Sequence, residues 1–175
     1  LGDVAAVERL TLEACRLDLF GDLRRVMAEH PDRRFQQLFD YWLTLAEARQ
    51  GLPSRQSIDP LQMPRGLIPN LFMTEVVYEI DNQPRFRFRL LGQEITARED
   101  TRPGQYVHEL SNKAGLDSLE PHYLDCLNCR LWLRRTSLQW VTAEKSFIPY
   151  DVLLLPLSRD GSHVDAMIGL VLYDA

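Results

Sequence analysis

The sequence contains few cysteines. Of 175 residues only Cys15, Cys126 and Cys129 are cysteine, too few and too odd a number for the disulfide framework of a small secreted domain. Cys126 and Cys129 form a CxxC pair, but zinc needs four ligands and no second CxxC or paired-histidine spacing accompanies it. The pair falls near the end of a predicted helix, where the helix dipole disfavours a thiolate. We interpret both residues as small core side chains and predict no metal site.

Long hydrophobic runs are also missing. The longest are Val152–Leu157 and Ala166–Tyr173, far below the roughly 20 residues that a membrane-spanning helix needs. The first residues do not follow the basic, apolar and small-residue order of a signal peptide. We therefore expect no membrane partner and a cytoplasmic location.

An excess of positive charge is absent. Lys and Arg total 20 against 25 Asp and Glu, a formal net charge of −5, whereas a nucleic-acid-binding protein neutralises phosphates with a basic face. Arg85, Arg87 and Arg89 alternate with Phe86 and Phe88, which is typical of the outer side of a strand. We expect no nucleic-acid partner, and we interpret Arg89 as one half of an ion pair.

No recognisable catalytic motif occurs. The sequence has no glycine-rich phosphate loop, no G-x-S-x-G and no H-E-x-x-H. Asp59, Asp100, Asp117 and Asp125 are scattered without a spacing that pairs carboxylates. We therefore predict no catalytic residues and a protein that is not an enzyme. A small isomerase or hydratase on a similar scaffold stays open by fold analogy alone, and a buried carboxylate or histidine with a shifted pKa in an open pocket would favour it.

Hydrophobic spacing divides the chain into a helical first part and a largely β second part. Apolar residues recur at three- and four-residue intervals early in the chain and at two-residue intervals later. The predicted helical segments are Val4–Phe20, Leu23–Glu29, Arg33–Gln50, Gln93–Arg98 and Leu116–Leu127, and the predicted strands are Leu71–Ile80, Arg85–Leu91, Trp132–Thr142, Phe147–Ser158 and Val164–Tyr173. Short links between successive strands favour an α+β domain with an antiparallel sheet.

Several short motifs, in this order and spacing, resemble one protein family. They are Tyr41-Trp42, Leu52-Pro53-Ser54-Arg55, Ile58-Asp59-Pro60, Met63-Pro64, Leu67–Leu71, Phe88–Gly92 and Leu153–Ser158. Together they resemble a bacterial PAS-type domain once catalogued as a domain of unknown function, over Arg33–Tyr173. The resemblance implies a five-stranded antiparallel sheet with small helices on one face and N-terminal flanking helices. We accordingly expect an N-terminal helical extension at residues 1–32 and a PAS-like sensory domain at residues 33–175.

The resemblance also implies a sensory or signalling domain that binds a small molecule or a protein partner, although it supplies no cofactor. We expect a small apolar or mixed-polarity ligand between the sheet and its helices. Candidate walls are the strand residues Phe88, Trp132 and Tyr150, and candidate polar groups are Tyr106 and His108. Ordinary core packing is the simpler interpretation of each. His108 and His122 lie where a haem ligand would come from, but neither has a visible partner in the sequence to orient it, and haem is not expected.

An apolar stripe on the N-terminal helices indicates a contact surface. It comprises Leu12, Cys15, Leu19, Leu23 and Val26, and such a stripe needs a covering surface. We expect it to contact a second copy or a protein partner, although it could also fold back on its own domain. The alternative to a ligand-binding sensor is a dimerisation or adaptor module with a filled core. Because no output domain is recognised in these residues, we expect the signal to leave through a non-covalent partner.

Overall fold

The computed structural model describes Arg25 and residues 27–114, 119–128, 132–141, 147–161 and 163–173; for residues 111–114, 132–141 and 147–149 it describes the backbone alone. Arg25 and residues 27–29 are helical. The elements that follow are α1 Arg34–Arg49, β1 Leu71–Tyr78, β2 Pro84–Leu91, α2 Gln93–Arg98, α3 Val107–Ala114, α4 Glu120–Leu127, β3 Trp132–Val141, β4 Phe147–Leu157 and β5 Ala166–Tyr173. The predicted helix Val4–Phe20 lies outside the described residues.

The five strands form one sheet in the order β2–β1–β5–β4–β3, and every neighbouring pair is antiparallel. The predicted α+β class with an antiparallel sheet is therefore confirmed. β5, at the end of the described chain, pairs with both β1 and β4 and occupies the centre. The predicted turn at Asp81-Asn82 joins β1 to β2, and Asn82 takes a positive φ of 54° there, as a short polar side chain tolerates.

The region between β2 and β3 differs from the prediction. One helix was expected at Leu116–Leu127, whereas the structure has α3 at Val107–Ala114 and α4 at Glu120–Leu127. Pro121 lies in the first turn of α4, where the missing N–H costs nothing and the fixed φ favours helix initiation. In α3, Val107 and Leu110 are both buried one turn apart, which is the short apolar stripe that holds this helix against the sheet.

The small helices α2, α3 and α4 lie on one face of the sheet, as the resemblance implies, and the longer helix α1 lies on the other. Trp42 on α1 donates its indole N–H to the Pro156 carbonyl on β4 (2.8 Å), which places α1 on one face. Ile95 on α2, Leu110 on α3 and Tyr123 on α4 share a cavity with the opposite face. Within the described residues, no helix is long and apolar enough to cross a membrane.

The structure explains why the Phe88–Gly92 motif ends in a glycine. Gly92 ends β2 and donates its backbone N–H to the Leu71 carbonyl (2.7 Å). A Cβ atom there would collide with the backbone carbonyl of Pro69, which has no side-chain freedom with which to yield. The motif therefore marks a close approach between two backbone segments.

A buried histidine–carboxylate pair holds the segment before α1 against the sheet. The backbone N–H of Asp32 donates to His30 Nδ1 (3.0 Å), which leaves Nε2 as the donor to Asp151 Oδ2 on β4 (2.7 Å). The His30 side chain is 14% exposed and that of Asp151 5%. Residue 30, which the predicted boundary assigns to the N-terminal extension, therefore contacts the sheet.

Candidate functional site

A cavity of about 50 Å³ lies between the sheet and helices α2, α3 and α4. Its lining is mostly apolar and aromatic, with a few polar side chains at one part of the wall. The lining residues are Phe72, Phe88, Leu91, Ile95, Glu99, Thr101, Leu110, Leu119, His122, Tyr123, Tyr150, Val152, Leu154 and Val171. A concave, mainly apolar enclosure with a few convergent polar groups is the usual form of a small-molecule site.

Side-chain alternation along the strands supplies the apolar wall. On β4, Tyr150, Val152 and Leu154 line the cavity, so the residues between them point to the face that carries α1. On β1, the Phe72 ring lies over Gly169 of β5, where a Cβ would overlap the ring. The absence of a side chain at residue 169 therefore lets an aromatic ring lie flat on the centre of the sheet.

Glu99 provides the ionisable group of the cavity. It follows α2 directly and accepts a hydrogen bond from the Tyr173 phenol at the end of β5 (2.6 Å). The residue as a whole is partly exposed, but its carboxyl end is enclosed. Burial raises the pKa of the Glu99 carboxyl to about 7, and the opposing effects of Tyr173 and Thr101 are smaller. Near neutral pH this carboxyl is therefore present in both its neutral and its charged form.

Hydroxyl groups surround the Glu99 carboxyl. Burial, followed by the neighbouring charges, raises the pKa of the Tyr123 and Tyr173 phenols well above the ordinary value, so both stay neutral donors. Thr101 is 2% exposed, and its hydroxyl forms a hydrogen bond with the Glu99 carboxyl that opposes the rise in the pKa of Glu99.

No ion pair joins Glu99 to a Lys, Arg or His among the described residues. Arg98 contacts Tyr173, the residue that donates a hydrogen bond to Glu99. Its guanidinium lies over the Tyr173 ring, 5.0 Å from the ring centroid. Arg98 Nε is also 3.4 Å from Glu94 Oε2 on the outer side of α2. The charged form of Glu99 therefore depends on hydroxyl donors alone.

The structure separates the predicted ligand-binding residues into three groups. Phe88 and Tyr150 line the cavity, as does His122. Tyr106 and His108 do not line it: their rings lie 5.5 Å apart, and Tyr106 faces the Arg87 guanidinium beside the outer strand β2. A backbone bridge joins Tyr106 to Arg87 on β2. The backbone of Trp132 begins β3, and its side chain lies outside the described part.

Sequence reasoning missed Glu99, Thr101, Phe72 and Tyr123. The alternation of β1 could have identified Phe72, because the strand was predicted correctly. Nothing in the sequence separates Glu99 from its neighbour Asp100, since only tertiary burial distinguishes the two carboxyl groups.

The predicted dimer or partner contact lies outside the described residues. This applies to all of its members, Leu12, Cys15, Leu19, Leu23 and Val26. It therefore stays a prediction.

Two further interpretations concern cysteine and arginine. Cys126 is fully buried on α4, as a small core residue would be, and Cys129 lies outside the described residues. Arg89 Nε is 3.6 Å from Glu75 Oε2, and Arg87 also pairs with Glu75, so the predicted ion pair is present. Among the described residues, no group of three or more His, Cys, Asp or Glu could hold a metal ion.

Comparison with known proteins finds a match to a protein family over part of the chain. Residues 29–102 match the family model of the PAS domain, which confirms the predicted PAS-type resemblance. PAS domains are a family of sensory and signalling modules, and they are generally non-enzymatic. A fungal LOV domain photoreceptor is similar in structure at 15% sequence identity, with a TM-score of 0.44 over 90% of this chain and 92% of that chain. No curated protein matches the sequence.

Proposed function

We propose that this PAS-type domain is a non-enzymatic sensory module whose interior cavity holds a small ligand. One observation carries the proposal: a mainly apolar cavity between the sheet and its helices has an ionisable carboxyl group, Glu99, in its wall. Burying polar groups without compensation costs free energy. A ligand that forms a hydrogen bond with Glu99 would offset part of that cost.

The signal would arise by a population shift. A ligand stabilises one arrangement of the protein only if it binds that arrangement better than another. Glu99 connects the cavity to Tyr173 at the end of β5, so occupancy of the cavity changes the partners of a residue outside its lining. We propose that the resulting change alters a dimer or partner surface formed by the N-terminal extension, residues 1–32, next to the sensory domain, residues 33–175.

Native mass spectrometry of the protein purified from its own host tests ligand binding. We expect a fraction of molecules to carry an additional non-covalent mass that is lost on denaturation. Glu99→Gln should reduce that fraction, whereas Asp100→Asn should not, because the neighbouring Asp100 side chain is 83% exposed. Repeated absence of an additional mass, together with an experimental structure whose interior is filled by side chains, would remove the proposal.

An adaptor module without a ligand is the second candidate, because the cavity is small and the surrounding core is well filled. In this account the apolar stripe on the N-terminal helices forms the contact between the two copies of a homodimer. Leu19→Asp should then convert a dimer to a monomer in sedimentation or light scattering. Leu61→Asp is the matched control, since Leu61 is 94% exposed and its replacement should leave the mass unchanged. A monomer mass for the wild-type protein in solution would exclude the proposed homodimer.

The raised pKa of Glu99 also favours an enzyme as a third candidate, because a general base works best with a pKa near the operating pH. The cavity volume of about 50 Å³ is several times smaller than a typical small-molecule pocket, so it restricts a substrate and a sensory ligand alike to a very small molecule. Turnover of a small molecule by the purified protein, abolished in Glu99→Gln, would establish the enzyme and exclude the pure sensor.

A further inference from the structure

We propose that a polar clamp on the back of the cavity wall couples the state of the cavity to the point where the N-terminal extension joins the domain. The clamp is a chain of hydrogen-bonded residues that runs through Asp151, His30, Asp32, Arg34 and Asn70. This inference rests on the proposed sensory function and names the route by which the signal leaves the cavity.

At one end the clamp holds β4. His30 Nε2 donates to Asp151 Oδ2 (2.7 Å), and the backbone N–H of Asp32 donates to His30 Nδ1 (3.0 Å). Asp151 lies between Tyr150 and Val152, which both line the cavity. Because successive side chains of a strand point to opposite faces, the clamp is attached to this part of the cavity wall from behind.

At its other end the clamp holds β5. The Asn70 side-chain amide donates to the Val171 carbonyl (2.9 Å), and Val171 lines the cavity. The ladder between β1 and β5 ends at Leu71 and Leu170. Asn70 therefore occupies the next position, opposite Val171, and its side chain takes the place of a ladder hydrogen bond.

Arg34 joins the two ends. Its guanidinium donates to Asn70 Oδ1 (2.9 Å) and to both carboxylate oxygens of Asp32 (2.7 and 3.1 Å). The hydrogen bond from Arg34 is the largest of the effects that lower the pKa of Asp32, so this carboxyl stays charged at neutral pH. A guanidinium and a carboxylate joined by two parallel hydrogen bonds fix each other's orientation, and the clamp therefore has one defined geometry.

The two attachment points lie on adjacent strands at neighbouring positions. In the ladder of β4 and β5, Asp151 lies opposite Leu172, which follows Val171 directly. A displacement of one strand relative to the other therefore stretches or bends the hydrogen bonds of the clamp, and such bonds weaken steeply when their geometry is lost. Hydrogen-bond networks of this kind can carry coupling between sites.

The same clamp fixes the junction with the N-terminal extension. His30 directly follows the helical residues 27–29, and Met27 is fully buried. The His30 ring also packs edge-on against the Phe35 ring of α1, with the ring centroids 4.9 Å apart. A change in the clamp therefore changes how the extension is attached, whereas α1 keeps the contacts of its own buried face.

Amide hydrogen exchange without denaturant tests the coupling, because a segment at the edge of a domain then exchanges through local opening. Leu110→Ala removes part of the cavity wall on the helix side. Leu52→Ala is its control, since both leucines are 3% exposed and Leu52 does not line the cavity. We expect exchange in residues 27–32 to be at least about threefold faster in Leu110→Ala than in Leu52→Ala.

A second pair of variants tests the route. Arg34→Met removes the donors that join the two ends of the clamp, and Arg33→Met is its control at the neighbouring exposed position. In the Arg34→Met background, Leu110→Ala should accelerate exchange in residues 27–32 no more than Leu52→Ala does. In the Arg33→Met background the difference should keep its full size.

Equal exchange in residues 27–32 of Leu110→Ala and Leu52→Ala would overturn the proposal, as would a difference that persists in the Arg34→Met background. If Leu110→Ala does not fold, Ile95→Val is a smaller change to the same wall, with the partly buried Ile58→Val as its control. Native mass spectrometry without any bound molecule would remove the ligand and leave the coupling intact. Loss of the coupling would leave a bound ligand in place, so the two proposals fail by different results.

Discussion

The phenol of Tyr173 donates a 2.6 Å hydrogen bond to the carboxyl group of Glu99 across 74 positions of sequence. One partner ends the central strand β5, and the other follows α2, which covers the cavity. The contact therefore joins the sheet to its covering helices through an ionisable group. Any change in the protonation or ligation of Glu99 alters a bond that is shared by both layers.

Glu99 is expected to make stability depend on pH. Its pKa is about 7 in the folded protein against an ordinary 4.5, so between these values the folded state retains a proton that the unfolded chain releases. The contribution of Glu99 to stability is fully present below pH 4.5 and is lost as pH rises through about 7. Over this pH range the free energy of unfolding of the wild type should fall by about 3 kcal/mol more than that of Glu99→Gln. Urea unfolding of the wild type and the variant between pH 4.5 and 8 measures it.

Asp100→Asn is the control for this measurement, because it removes a carboxyl group at the adjacent, exposed position. The free energy of unfolding of Asp100→Asn should change with pH as that of the wild type does. If the unfolding free energies of the wild type and Glu99→Gln change with pH in parallel, the Glu99 carboxyl is not enclosed in solution.

Tyr173→Phe should destabilise the protein more at high pH than at low pH. A hydrogen bond to a charged acceptor contributes about 1.5–3 kcal/mol, against about 0.5–1.5 kcal/mol for a neutral one, and the Glu99 carboxylate forms as pH rises through about 7. Chemical denaturation at pH 5.5 and pH 8 measures the difference. Tyr78→Phe serves as the control, since Tyr78 is 57% exposed. A loss of unfolding free energy in Tyr173→Phe that does not depend on pH would contradict the hydrogen bond from Tyr173 to a titrating Glu99.

Gly169→Ala should distort the cavity wall by displacing the Phe72 ring. Overpacking of this kind costs about 1–3 kcal/mol, measurable as a lower midpoint of urea unfolding. Adding Phe72→Leu should recover part of the loss, because the smaller side chain no longer meets the new methyl group. Strict additivity of the two substitutions would show that the ring and residue 169 are not in contact.

His30→Ala should cost about 1–3 kcal/mol, because it removes a hydrogen-bond donor from the buried Asp151 carboxyl. His163 offers a matched comparison: it also pairs with an aspartate, Asp160, at 2.9 Å, but its side chain is 76% exposed. His163→Ala should change the free energy of unfolding by less than about 0.5 kcal/mol. Similar costs at the two positions would contradict the anchoring role of His30.

The strands were predictable from the sequence because their period is local. The alternation of Phe86 and Phe88 with arginines on β2 gave the correct strand and its buried face. The helix α3 was missed because only Val107 and Leu110 supply its buried stripe, and two apolar residues do not establish a period.

The candidate site was only partly predictable. Phe88 and Tyr150 were found at the cavity because strand alternation assigns a face to each residue. Glu99 was missed because its environment depends on Tyr173, which is remote in sequence. Tyr106 and His108 are not among the lining residues of this cavity, and their role in ligand binding stays a prediction.

The central claim is that the enclosed carboxyl of Glu99 forms the polar end of a ligand cavity. A ¹³C NMR titration of that carboxyl group, with Glu99→Gln to assign the signal, tests it most directly. The account predicts a midpoint near pH 7. A midpoint at the ordinary 4.5 would contradict it.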